Sequence, residues 1–108
     1  MNDLWNQIQY RLDMLDSALR EVGVRGREYA EAESAYKQAL ATKILELRAD
    51  KMPVTITPDI ARGTREIALL KVDRDCKEAL YTAAKEAVNV YKLQIKVLEA
   101  QMQREWNN

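Results

Sequence analysis

Apolar residues recur in alternating steps of four and three along the first half of the chain. Ile8, Leu12, Leu15, Leu19, Val22, Tyr29, Tyr36, Leu40 and Leu47 keep this spacing, with Gly26, Glu33 and Lys43 at the intervening places. Such a period predicts a helix with one coiled-coil-like stripe. Near Glu33 and Lys43 the stripe drifts to Ala32, Ala39 and Ile44, as a straight helix slips against a seven-residue repeat. The second half carries two adjacent lines. One is Tyr81, Ala84, Val88, Tyr91, Ile95, Leu98 and Met102, and the other is Leu69, Cys76, Leu80, Ala83, Ala87, Val90 and Val97. Two lines exceed what one partner helix covers. One account is a broad core face in a globular bundle. The other is a helix that packs on the first helix and also on another subunit, with Tyr81, Val88, Tyr91, Ile95, Leu98 and Met102 as the candidate oligomer interface.

Both prolines, Pro53 and Pro58, lie between these halves, in a stretch that also holds Val54, Thr55, Ile56 and Thr57. No helix runs through that stretch. The remaining text is rich in Ala, Leu, Glu, Lys, Arg and Gln, which favour helix. The expected fold is therefore all-α: a long antiparallel helical hairpin forming a single domain. It has helix 1 at about 2–49, a structured loop at 50–63 and helix 2 at about 64–106. Thr64 is the expected N-cap of helix 2, with Glu66 in its first turn. Gly23 and Gly26 either kink helix 1, break it into two pieces, or sit in a continuous helix where the backbone of a neighbour comes close.

The loop has its own signals. Thr57-Pro58-Asp59 reads as an N-cap, a proline at the first helical place and an acid in the first turn, and Gly63 is expected to end the turn. Val54, Ile56 and Ile60 are expected to fold back and close the hairpin end. The alternative is a recognition tip carrying Arg48, Lys51, Arg62 and Arg65, since binding residues often sit on loops held by a rigid scaffold.

Two long helices with no third layer leave much apolar surface wet. A homo-oligomer, a dimer or higher, is expected, forming a four-helix bundle or larger assembly.

Composition narrows the chemistry. Seventeen basic residues balance seventeen acidic ones in 108 residues, which disfavours a nonspecific nucleic-acid coat. Lys85, Lys92, Lys96 and Arg104 stand near Tyr81 and Tyr91, but those tyrosines lie on an apolar line and core packing is the better account. The chain has no histidine, the usual neutral-pH base and commonest transition-metal ligand. No P-loop, GxGxxG, HExxH, CxxC or GxSxG pattern occurs. Glu28 and Glu31 form an ExxE pair beside Glu33, yet no ExxD follows to complete a Mg²⁺ site around a diphosphate. Asp73 and Asp75 alternate with Arg74 and Lys77, the pattern of an ion-paired outer face. The one cysteine, Cys76, lies on the second apolar line and is expected to be buried. A non-enzymatic protein without cofactor or metal is expected. The N-terminus has no basic and apolar leader, and the longest apolar run, Ile67 to Leu70, is too short for a bilayer. The expected location is the cytoplasm, with no membrane contact.

From about residue 25 onward the chain is similar to a group of small helical-hairpin proteins encoded in phages and prophages of Gram-positive bacteria. The segments that carry the resemblance are Arg27-Glu28-Tyr29-Ala30-Glu31-Ala32-Glu33 and Ala41-Thr42-Lys43-Ile44-Leu45-Glu46-Leu47-Arg48-Ala49. They are followed by Pro53-Val54-Thr55-Ile56, Asp59-Ile60-Ala61-Arg62-Gly63 and Ala87-Val88-Asn89-Val90-Tyr91-Lys92-Leu93. The loop phrase is the most specific of these, because helical Ala/Glu/Lys text is common. The resemblance covers about three quarters of the chain. It implies an early-expressed accessory protein encoded near recombination and single-strand-binding genes, and it implies no catalytic residues. The expected function is to self-associate and bind a protein partner, either phage replication or recombination machinery or a host factor. The alternatives are a DNA-binding accessory factor in recombination and a virion assembly protein.

Overall fold

The structure, a computed structural model, describes residues 2–107. Three helices follow in order: α1 (Asn2–Ala49), α2 (Thr57–Gly63) and α3 (Arg65–Trp106). No strand occurs among the described residues. The fold is an all-α helical hairpin, with α1 and α3 as its arms and α2 between them. The helices divide into two compact units. The first joins the α1 segment up to Arg25 with the α3 segment from Leu80, and the second comprises Gly26–Ala79.

In the first unit the α1 segment buries Leu4, Ile8 and Ala18 and half-buries Arg11, Leu15, Val22 and Arg25. These places keep alternating steps of four and three, so the seam is a heptad seam, but a different one from the leucine-rich reading above. Leu12 and Leu19, expected inside, are exposed, at 41% and 51%. Ala18 lies inside in their stead. A small side chain lets two helix backbones come close, and dispersion contacts then form along the whole seam. On the α3 segment Ala84, Val88 and Ile95 are buried, with Tyr81, Tyr91, Leu98 and Met102 half-buried. Ala84 repeats the small-residue device of Ala18.

The second unit follows the same rule. Ala32 and Tyr36 are buried on α1, with Tyr29 and Ala39 half-buried beside them. On α3 the steps of three and four run Ile67, Leu70, Arg74 and Lys77, so two basic residues occupy seam places. The deepest cluster is here. Thr57 and Ala61 of α2, and Ile67 of α3, are each at most 1% exposed. Thr57 and Ala61 stand one turn apart and share the inward face of α2. Val54, Ile56 and Ile60, expected to close the hairpin end, are exposed instead.

The junctions are built from backbone hydrogen bonds. At the end of α1 the amide of Lys51 donates to the Arg48 carbonyl at 3.0 Å and that of Met52 to Leu47 at 3.1 Å. This pair of bonds is a Schellman motif, which places Lys51 at the left-handed position. Its φ is 67°, a conformation usually taken by glycine. A left-handed residue with a Cβ costs roughly 1–2 kcal/mol. Glycine relieves that strain, while its greater freedom in the unfolded chain cancels part of the gain, so Lys51→Gly should raise stability by about 0.5–1 kcal/mol in urea unfolding.

The start of α2 differs from the sequence expectation. Ile56 holds the N-cap place and no side chain caps it. Thr57 is already helical, and its hydroxyl donates to the Pro53 carbonyl at 2.7 Å. That carbonyl also accepts the amides of Ile56 and Thr57. Gly63 ends α2 as expected, and does so without a positive φ. Thr64 makes the break with an extended backbone, φ −66° and ψ 146°. Its carbonyl accepts the Ala68 amide at 2.9 Å, the first bond of α3. Its hydroxyl donates backward to Ala61 at 2.7 Å, tying α3 to α2.

Helix α1 passes through Gly23 and Gly26 as a single helix. Gly23 is exposed, and a Cβ built there meets no atom within 4 Å. No close approach requires this glycine. Gly23→Ala should therefore add about 0.5–1 kcal/mol to stability, visible as a higher melting temperature. Both substitutions stabilise, one by introducing glycine and the other by removing it, because φ is positive at Lys51 and not at Gly23.

Candidate functional site

No three histidine, cysteine, aspartate or glutamate residues stand together as a metal cluster among the described residues. Charged side chains mostly pair along their own helix: Arg20 with Asp16, Arg25 with Glu21 at 2.7 Å, Lys37 with Glu33 at 3.5 Å and Lys77 with Asp73 at 3.1 Å. Exposed pairs of this spacing contribute a few tenths of a kcal/mol each and form an outer face.

One polar cluster lies at the seam of the second unit. The Arg74 guanidinium sits over the Tyr36 ring, 4.6 Å from its centroid, and donates to Asp75 at 2.9 Å. The hydrogen bond to Asp75 raises the Arg74 pKa, so its charge is fixed. Burial raises the Tyr29 pKa above the usual phenol value, with the carboxylates of Glu33 and Glu78 adding to the effect. The phenol therefore stays neutral and donates to Glu33. Arg74 pairs with Asp75 and Glu33 with Lys37, which makes the cluster a packing device: Arg74 covers the Tyr36 ring with a planar cation.

The remaining feature is apolar. Leu69, Val72, Leu80, Val90, Leu93 and Val97, all on α3, are 47–63% exposed. Most share one spacing. Starting at Leu69, steps of three and four give Val72, Cys76, Ala79, Ala83, Glu86, Val90, Leu93, Val97 and Ala100. At about 100° per residue these places lie on the side of α3 away from its inner seam. Helix α3 thus carries two heptad seams: an inner one, used within the chain, and an outer one that is wet. In the first unit a groove of about 470 Å³ adjoins this surface, with Leu12 and Leu15 on one wall and Lys92, Leu93 and Lys96 on the other. Leu12 is the residue displaced from the inner seam.

This arrangement reassigns the expected interface. Val88 and Ile95 are buried within the single chain, and Tyr81, Tyr91, Leu98 and Met102 are half-buried in the same seam. The line expected to meet another subunit is the one that packs on α1, and the surface open to another chain is on the other side of α3. Cys76, expected to be buried, is exposed on that side. The signal was present in the sequence as the spacing Leu69, Val72, Cys76, then Val90, Leu93, Val97. The second line read above omits Val72 and Leu93, the members that complete the repeat.

Arg48, Lys51, Arg62 and Arg65, the candidate tip residues, are all exposed in the second unit. Arg62 stands 3.5 Å from Asp59, and Lys51 is the left-handed residue of the turn. The DNA-facing candidates are divided: Lys85 lies over the Tyr81 ring at 4.3 Å, and Tyr81 and Tyr91 are taken up by the inner seam.

The fold and this surface define a helical-hairpin protein with an open coiled-coil face. Compared with known proteins, the chain matches no family model, and no curated protein or solved structure is significantly similar to it. No helix among the described residues is long and apolar enough to cross a membrane.

Proposed function

We propose that this chain is a non-enzymatic accessory protein that self-associates through the outer face of α3 and thereby presents a surface to a protein partner. The observation that carries this reading is the wet heptad line through Leu69, Val72, Val90, Leu93 and Val97, with Leu80 beside it. Exposed apolar side chains grouped on one face mark interaction sites. Burying the exposed half of each is worth on the order of 1 kcal/mol. Twelve such side chains in a pair of chains give roughly 12 kcal/mol, against an association cost of 4–15 kcal/mol. At the low end of that cost about 8 kcal/mol remains, which corresponds to a micromolar dimer. The resemblance to phage and prophage hairpin proteins supports a partner in phage replication or recombination, or a host factor that such a protein engages, in the cytoplasm of the bacterial host.

Light scattering over a concentration series tests the reading. The average mass should rise from one chain towards two across the micromolar range. A monomer that persists to about 100 µM would sink it. A DNA mobility shift that weakens steeply with salt would favour the DNA-binding alternative.

A further inference from the structure

We infer that the outer face of α3 pairs with the same face of a second copy in antiparallel orientation, centred between Ala84 and Lys85. This deepens the reading of self-association above and rests on it.

The sequence of the outer seam distinguishes the orientations. In a parallel pair each seam residue faces its own copy, which sets Glu86 against Glu86. Two like charges would then meet in the middle of an apolar seam with no cation beside them at either flank. In the antiparallel pair, layers join residues whose numbers sum to a constant. A sum of 169 sets Val72 against Val97, Cys76 against Leu93 and Glu86 against Ala83 of the other copy. A small residue faces Glu86, which leaves its carboxylate room to turn towards water. The flanks agree as well. Residues beside the seam on one side pair at a sum of 171, which sets Asp75 against Lys96, and the two-fold axis makes this contact twice. Asp75 and Lys96 are both exposed. Asp75 already accepts from Arg74 through one oxygen and stands 4.0 Å from Lys71 through the other, and the two carboxylate oxygens retain acceptor capacity for a further cation. In the parallel arrangement the corresponding flank places hold no pair of opposite charges.

Cys76 makes the orientation measurable, because it lies on the seam and is exposed. In the antiparallel pair the two Cys76 residues lie about 25 Å apart along the axis, far beyond the reach of a disulfide. Cys76 and residue 93 of the other copy are adjacent. The experiment compares the natural chain with Leu93→Cys, each as the full chain at a concentration where light scattering reports dimer. The thiol oxidant diamide takes up the two electrons and two protons that each disulfide releases. Leu93→Cys should move to double mass on non-reducing gels, and the natural chain should stay at single mass. Leu93→Cys combined with Cys76→Ala should also stay single, since the two residues 93 are as far apart as the two Cys76. If the natural chain cross-links through Cys76, the pairing is parallel and the inference fails while self-association stands. If the natural chain forms dimers and no variant cross-links, the interface lies on another face and the inference fails. If the natural chain is monomeric, self-association and its orientation fall together.

Discussion

Leu93→Glu is expected to abolish self-association while leaving the fold intact. Leu93 is 63% exposed, the most open of the apolar side chains on the outer face of α3. It contributes little to the chain's own packing, and glutamate favours helix about as well as leucine. Helical content by circular dichroism should therefore match the natural chain. In a dimer the same side chain is covered in both copies. Losing its burial twice, and placing two carboxylates against apolar neighbours, weakens the dimer by at least about 3 kcal/mol, or roughly 100-fold. Light scattering at a concentration where the natural chain is mostly dimer should report a single chain. Leu98→Asp supplies the contrast. Leu98 is half-buried on the inner seam, so a charge there should lower helicity and melting temperature first. A Leu93→Glu dimer of unchanged size would move the interface away from α3's outer face.

The second large effect is expected at Ile67. Its side chain is 1% exposed, and with Thr57 and Ala61 it forms the most buried group of residues in the second unit. Helix α2 has seven residues, too few to hold helix alone. Its order comes from burying Thr57 and Ala61 and from the hydroxyl bonds of Thr57 to Pro53 and of Thr64 to Ala61. Ile67→Ala removes the largest side chain from that cluster. The loss of transfer free energy and the cavity left behind should cost about 2–4 kcal/mol in urea unfolding. For a chain of this length that corresponds to a fall in melting temperature of roughly 10–25 °C. Amide exchange in residues 57–63 should accelerate more than elsewhere, because α2 has no second source of order. A cost below about 1 kcal/mol would mean that α2 is held by something other than this cluster.

These outcomes show how much could be read before the structure. The heptad period was legible, because steps of three and four leave few alternatives to a long helix. The punctuation by Pro53 and Pro58 placed α2 between the arms. The choice among parallel lines was not legible on α1. Counting leucines favours Leu12 and Leu19, whereas packing favours Ala18, because the gain lies in how closely two backbones approach and that is a property of the pair. On α3 the inner line was read with its correct members, Tyr81 through Met102. Which neighbour covers that line was not legible, since a period records that a stripe is apolar and does not record what packs on it. Cys76 was misplaced for the same reason. At the start of α2 the acceptor for the Thr57 hydroxyl was a carbonyl four residues earlier, so the side chain that looked like a cap was already occupied.

The outer seam lies on a helix whose inner side is already packed within the chain. Joining two copies therefore requires no folding step and little ordering of side chains, so occupancy of the dimer follows protein abundance alone. In the proposed pair, coverage of the outer face therefore tracks protein concentration: the stripe is open when copies are few and closes as they accumulate.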